Sequence, residues 1–146
     1  MEEIYNFLNN KTFAEHVKTN LGQNAFISSA KQNFCIKLET YGQNWLGGRP
    51  LQLPTCVKFV AILFRSISCI EFTNNNPRKT VSGRCISILM FLETLREHCR
   101  RCRLHTPHTI VEGVVTGVHK DHVHLKKDID HELFFPICNL IAIELL

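Results

Sequence analysis

A chain of 146 residues suffices for one ordinary domain or two very small ones, and its 45% apolar content is enough for a packed core, which excludes wholesale disorder. The net charge of +4 is spread evenly: residues 1–73 hold 7 basic and 5 acidic side chains and residues 74–146 hold 10 and 8, so neither half is a nucleic-acid arm. Charged residues are only 21% and phenylalanines number ten, which points to apolar surface covered by a partner; no segment has the length or purity of a membrane span.

The start, MEEIYNFLNN, has no basic stretch followed by an apolar one, so no signal peptide is expected and the chain is expected in the cytoplasm at synthesis. Residues 2–21 read as helix, in two pieces. Ile4, Phe7 and Leu8 stripe the first; Thr12 with Glu15 forms a capping box for the second, where Phe13, Val17 and Leu21 recur every four residues and Gly22 ends it. Residues 24–41 read as a hairpin, with Phe34, Ile36 and Leu38 alternating against Cys35, Lys37 and Glu39. Residues 42–54, with Trp45, Gly47, Gly48, Pro50 and Pro54, read as a loop. Residues 56–64 (CVKFVAILF) form a near-continuous apolar run expected as a central strand, and 67–72 a short last strand.

Thr73 to Lys79 (TNNNPRK) reads as a linker. A helix follows, with Cys85, Ile88, Leu89, Leu92, Leu95 and Cys99 on one face. From His98 to Leu146 the chain reads as a small, strongly bent antiparallel β-barrel: IVEGVVTGV with bends at Gly113 and Gly117, a tight turn at Lys120-Asp121-His122, a polar turn at KDIDH, the strand LFFPI and a last strand through Ile141 and Ile143. Val115, Val123, Leu125, Phe135 and Ile143 are expected inside it.

The same order of elements runs through residues 2–72 and 81–146. Phe13, Val17 and Leu21 match Phe91, Leu95 and Cys99, and Ile70-Glu71-Phe72 echoes Ile143-Glu144-Leu145, so we read a tandem duplication. The stretch TIVEGVVTGVHKDHVHLKK with ELFFPICNLIAIEL resembles Sm-like small β-barrel proteins, in particular those of spore-forming bacteria associated with the spore coat. That resemblance covers about a third of the chain and reaches the first half through the repeat; together they imply a fold class of α+β, mainly β, with two tandem helix-plus-small-barrel (Sm/SH3-like) units at residues 1–73 and 81–146 joined by a linker at 74–80. The resemblance also implies association through edge strands and, in RNA-binding members, a base pocket. Asp121 matches the turn of that pocket and His124 falls nearest its Asn, but Cys138-Asn139 stands where an Arg-Gly pair belongs, so the pocket is not reproduced.

Cys99, Cys102, His105 and His108 give C-x2-C-x2-H-x2-H, whose residue types suit a structural zinc but whose spacing lacks the loop that lets ligand pairs converge; half-buried thiols and exposed imidazoles are the plainer reading, and no cofactor is expected. His119, His122, His124 and His131 cluster around one hairpin, as surface imidazoles or as a weak metal or pH-sensitive site. Arg96, Arg100, Arg101 and Arg103 read as a solvated helix end or a phosphate grip. No nucleophile elbow or Gly-rich phosphate loop occurs, so an enzyme is not expected. The leading expectation is a structural protein that associates through edge strands, the two units pairing with each other and leaving one edge at each end, with the apolar strands 56–64 and 133–143 as the pairing strands, Cys35, Cys102 and Cys138 available for cross-linking and the spore coat as a destination. The alternative is an RNA-binding or regulatory module using the four arginines with His122 and His124.

Overall fold

The computed structural model describes residues 12–29, 32–52, 55–73 and 86–146. Thr12 Oγ1 accepts a hydrogen bond of 3.2 Å from the Glu15 amide, the hydroxyl half of the expected capping box, and starts helix α1 (Phe13–Thr19). Val17 is its buried residue. Gly22, at φ 88°, then turns the chain into strand β1 (Asn24–Ser29), a conformation that a side chain would resist. The first helical piece expected, residues 2–11, and Cys85 and the linker at 74–80 lie outside the described residues.

Strands β2 (Asn33–Tyr41), β3 (Trp45–Pro50), β4 (Phe59–Leu63) and β5 (Ile67–Thr73) follow. Residues 45–50 are thus a strand, where the glycines had argued for a loop. These glycines answer a close approach of neighbouring strands: a Cβ at Gly48 would stand 1.7 Å from the Lys37 carbonyl oxygen, and one at Gly47 would stand 2.5 Å from the Phe59 ring. The bulge between Leu38 and Thr40 on β2 lies opposite them.

Ser87 caps helix α2 (Ile88–Glu97), its hydroxyl accepting from the Met90 amide at 3.2 Å, and Ile88, Leu92 and Leu95 form the buried stripe. Strands β6 (Arg101–His105), β7 (Ile110–Val118), β8 (His122–Lys126), β9 (Glu132–Pro136) and β10 (Ala142–Leu145) complete the chain. The ten strands of the described residues join one antiparallel sheet in the order β5-β1-β2-β3-β4-β10-β6-β7-β8-β9. Each half of the chain therefore contributes five adjacent strands with its own last strand beside its first.

The expected architecture of two helix-plus-small-barrel units is corrected by this sheet, as is the closed barrel expected from His98 to Leu146. The strands form one open sheet: β10 pairs with β6 on one side and with β4 on the other, Ala142 facing Ile62 and Leu145 facing Phe59. Pairing across the middle satisfies the edges that separate barrels would each have had to close, and it leaves β5 and β9 at the two ends. The core divides to match. Val60 and Ile62 of β4 join a cluster with Val17, Ile27, Ile36, Leu38 and Ala142, whereas Ala61 and Leu63 join another with Leu92, Leu104, Leu125 and Ile143. Alternate residues of β4 and β10 thus enter opposite clusters, so the centre of the sheet is covered on both faces, α1 contributing to one cover and α2 to the other. A strand buried on both faces has no polar side, which is why 56–64 reads as an apolar run. Val115, Val123, Leu125, Phe135 and Ile143 do lie together in the second cluster. Among the described residues no helix is long and apolar enough to cross a membrane.

Candidate functional site

Of the strands expected to pair, 56–64 is not a free edge, since β4 has β3 on one side and β10 on the other; among the described residues it is β5 and β9 whose outer sides no strand pairs with. On β9, Leu133 and Phe135 turn inward and Phe134 between them is 62% exposed. On β5, Ser68, Cys69 and Glu71 face solvent. Two backbone ladders with unused donors and acceptors are chemically competent to receive another strand. Of the cysteines expected at the surface, Cys138 is exposed in the 3₁₀ turn that follows β9 and Cys35 is half-buried. Cys102 is a correction: it is fully buried on the inward face of β6 beside Leu104, and burial pushes its thiol up to about 12. A thiol so placed is not a cross-linker. Cys56, Cys69 and Cys99 are exposed instead.

The β7–β8 hairpin gathers imidazoles. His119 and His122 face each other across the two-residue turn Lys120-Asp121, the His119 amide donating to the His122 carbonyl at 2.9 Å. His124 lies one pleat further on the same face as His122, opposite Gly117. The ring centroids are 4.6 Å apart for His119 and His122, 4.6 Å for His119 and His124, and 5.0 Å for His122 and His124. Phe134 meets the His124 ring edge-on at 4.3 Å. Asp121 Oδ1 lies 2.6 Å from His122 Nδ1, and that contact holds the Asp121 carboxyl below its ordinary range. His131 stands apart on the next turn, with Nδ1 2.7 Å from Asp128 Oδ1. Sequence grouping by hairpin finds these residues, but the opposition of His119 to His122 needs the strand register.

The arginines are mostly spoken for. Arg96 pairs with Glu93 on α2, and Arg101 and Arg103 share Glu112 at 2.9 and 3.3 Å. Arg100 reaches the carbonyl of Leu146 at 3.5 Å. Arg103 and Arg101 lie across from Glu112 and Val114, five and three residues before Gly117, which lies across from His124, so the arginines held by Glu112 and the imidazoles occupy different stretches of β7.

Nor do Cys99, Cys102, His105 and His108 come together. Cys99 sits exposed in the turn after α2, Cys102 faces the second core cluster, and His108 is exposed beyond the other end of β6. His105 points to the opposite face from Cys102, as the odd spacing dictates, and is buried. Its Nε2 contacts the Glu144 carboxylate, its Nδ1 lies 2.7 Å from Gln32 Oε1, and Phe34 packs edge-on against it at 5.8 Å. This buried polar group ties β6 and β10 to the turn before β2, an arrangement no local pattern in the sequence announces. Neither protein-family models nor curated proteins give a match to this chain.

Proposed function

We propose that this protein is a non-catalytic assembly protein whose copies join edge to edge, the β9 strand of one copy pairing with the β5 strand of the next. The observation that carries this reading is the open sheet with, at each end, an edge that no strand of the described residues pairs with. The β4–β10 pairing supports it by example: β4 is the fourth strand of its half and β10 the fifth of the other, and β9 and β5 are the remaining fourth and fifth strands. An edge association of that kind buries Phe134 and uses backbone groups that otherwise face water. Because β5 and β9 are different surfaces, the contact is head-to-tail, and it produces a ring or a filament rather than a closed pair. Cys69 on β5 and Cys138 after β9 flank the two edges and become neighbours across each junction.

The test is native mass under reducing conditions, with each edge blocked in turn by a charge. The wild-type chain is expected as an oligomer, and Phe134→Lys and Cys69→Lys each as a monomer. Mixing the two variants pairs the intact β5 of the first with the intact β9 of the second, so the mixture is expected to stop at a dimer. A wild-type chain that stays monomeric at high concentration, or variants that assemble like wild type, ends the reading. The RNA-binding alternative has less behind it, because Glu93 and Glu112 already engage three of the four arginines.

A further inference from the structure

We propose that His119, His122 and His124 form a binding site for a divalent transition-metal ion of the zinc type, a property beyond the edge-to-edge association. One nitrogen from each ring lies within 4.8 Å of the others. In a tetrahedral zinc site with Zn–N near 2.05 Å the ligand nitrogens stand about 3.4 Å apart, so small side-chain rotations bring the three into place. The backbone has prepared the convergence. The two-residue turn sets His119 against His122, the pleat puts His124 on the same face, and Gly117 leaves open the space between the rings. A Cβ on Gly117 would lie 3.2 Å from His124 Nδ1 and 3.5 Å from His119 Nε2, where it would hold the two imidazoles apart.

The surroundings are those a metal-ligating histidine uses. Asp121 Oδ1 takes the Nδ1 side of His122 at 2.6 Å. Glu132 Oε1 lies 3.7 Å from His124 Nδ1 and is itself fixed by a 2.8 Å hydrogen bond from Thr116 Oγ1. The carboxylate on Nδ1 orients the His122 ring, raises its basicity and leaves its Nε2 for the ion. Phe134 steadies the His124 ring from the side. Three imidazoles supply three of the four positions of a tetrahedron, water or an external carboxylate completes the shell, and a shallow surface depression of about 500 Å³ bordered by Asp121, His122, His124, Phe134 and Pro136 adjoins two of the three rings. This ligand set differs from the Cys99–His108 series, whose members the fold separates, and it contains no thiolate.

The experiment is titration of the full chain, free of any affinity tag, with zinc by calorimetry and with cobalt(II) by visible absorption. One equivalent is expected to bind, and the cobalt complex is expected to lack the intense ultraviolet band of thiolate ligation. His119→Ala, at an exposed position, is expected to abolish saturable binding, and Asp121→Asn to weaken it roughly tenfold. His108→Ala, also exposed but outside the cluster, is expected to change nothing, and circular dichroism of each variant confirms that the sheet is kept. Absence of saturable binding overturns the proposal. So does binding that survives His119→Ala, binding lost equally in His108→Ala, or a thiolate band, which would move the site to the cysteines.

Discussion

Strands β4 and β9 are both apolar, both the fourth of their half, and both followed by a 3₁₀ turn, at Phe64–Ser66 and Ile137–Asn139, yet their surroundings are opposite. β4 has a strand on each side and a core cluster on each face, and its residues Val60 to Leu63 are all buried. β9 has a strand on one side and a core on one face, and only Phe135 is buried. Sequence chemistry follows the difference. β4 reads FVAIL without interruption, whereas β9 reads ELFFP, with a charge at one end and a residue lacking an amide donor at the other. Glu132 and Pro136 confine any new ladder on β9 to its middle and guard against indiscriminate pairing. In this molecule the same kind of strand becomes structure at the centre and an adhesive surface at the edge, according to what covers it.

The largest test of that contrast sets a central residue against an edge residue. Ile143 on β10 is fully buried, and Ile143→Ala is expected to cost about 4 kcal/mol, the transfer term plus the cavity left in a covered core. Phe134→Ala is expected to cost less than about 1 kcal/mol, because most of that ring already meets solvent. Urea unfolding of both variants under monomeric conditions reads the difference directly. Equal losses would mean that β9 is as integral to the folded monomer as β10, and the contrast would collapse.

Thiol chemistry reads the same contrast with less perturbation. Cys102, beside β10, has its thiol raised to about 12 by burial, and Cys69 stands exposed on β5. At pH 8 Cys102 is expected to react with a maleimide far more slowly than Cys69, because burial both shields the Cys102 sulfur and keeps it protonated. The sign of the accompanying stability follows from the raised value. The contribution is whole below the ordinary thiol range, where both folded and unfolded thiols are protonated, and it is lost as pH climbs towards about 12. Comparable labelling of Cys102 and Cys69 in the folded chain would show that the inward face of β6 opens readily.

Local patterns made most of the elements legible. The Thr12 cap, the β1–β2 hairpin, the stripe on α2 and the inward set from Val115 to Ile143 all rest on short-range periodicity, which the fold preserves. That the halves pair and leave one edge at each end follows from the repeat and from the apolar run at 56–64, but the partner of that run across the seam, Ala142–Leu145, carries no local signal, because the pairing spans almost the whole second half of the chain. The strand at Trp45–Pro50 was masked for a related reason. Glycine signals a turn or a close approach with the same letter, and only the neighbour, Lys37 or Phe59, distinguishes them. At the histidine cluster, the shared face of His122 and His124 follows from spacing alone. The contribution of His119 depends on the exact length of the turn, and the exposure of Cys102 was misjudged because a strand of five residues gives too few repeats to tell its inner face.

Among the described residues one non-glycine position, in the exposed turn that leads from α2 into β6, holds a left-handed backbone, and it offers the smallest test. Helix α2 ends in a left-handed residue, with the Cys99 amide bonded to the Arg96 carbonyl at 3.2 Å and the Arg100 amide to the Leu95 carbonyl at 3.1 Å. This is the double hydrogen bond that ordinarily selects glycine, yet Cys99 occupies it at φ 49°. An L-residue there loses roughly 1 kcal/mol to the contact of its Cβ with the backbone, and glycine returns part of that gain through the greater freedom of its unfolded chain. Cys99→Gly is therefore expected to raise stability by about 0.5 kcal/mol, seen as a higher urea midpoint at unchanged slope. The thiol at this position then has no structural duty, since it is exposed and its replacement improves the turn. A loss of stability instead would show that the Cys99 side chain holds the junction between α2 and β6 in a way that outweighs the strain, and the covered centre would owe part of its order to that single contact.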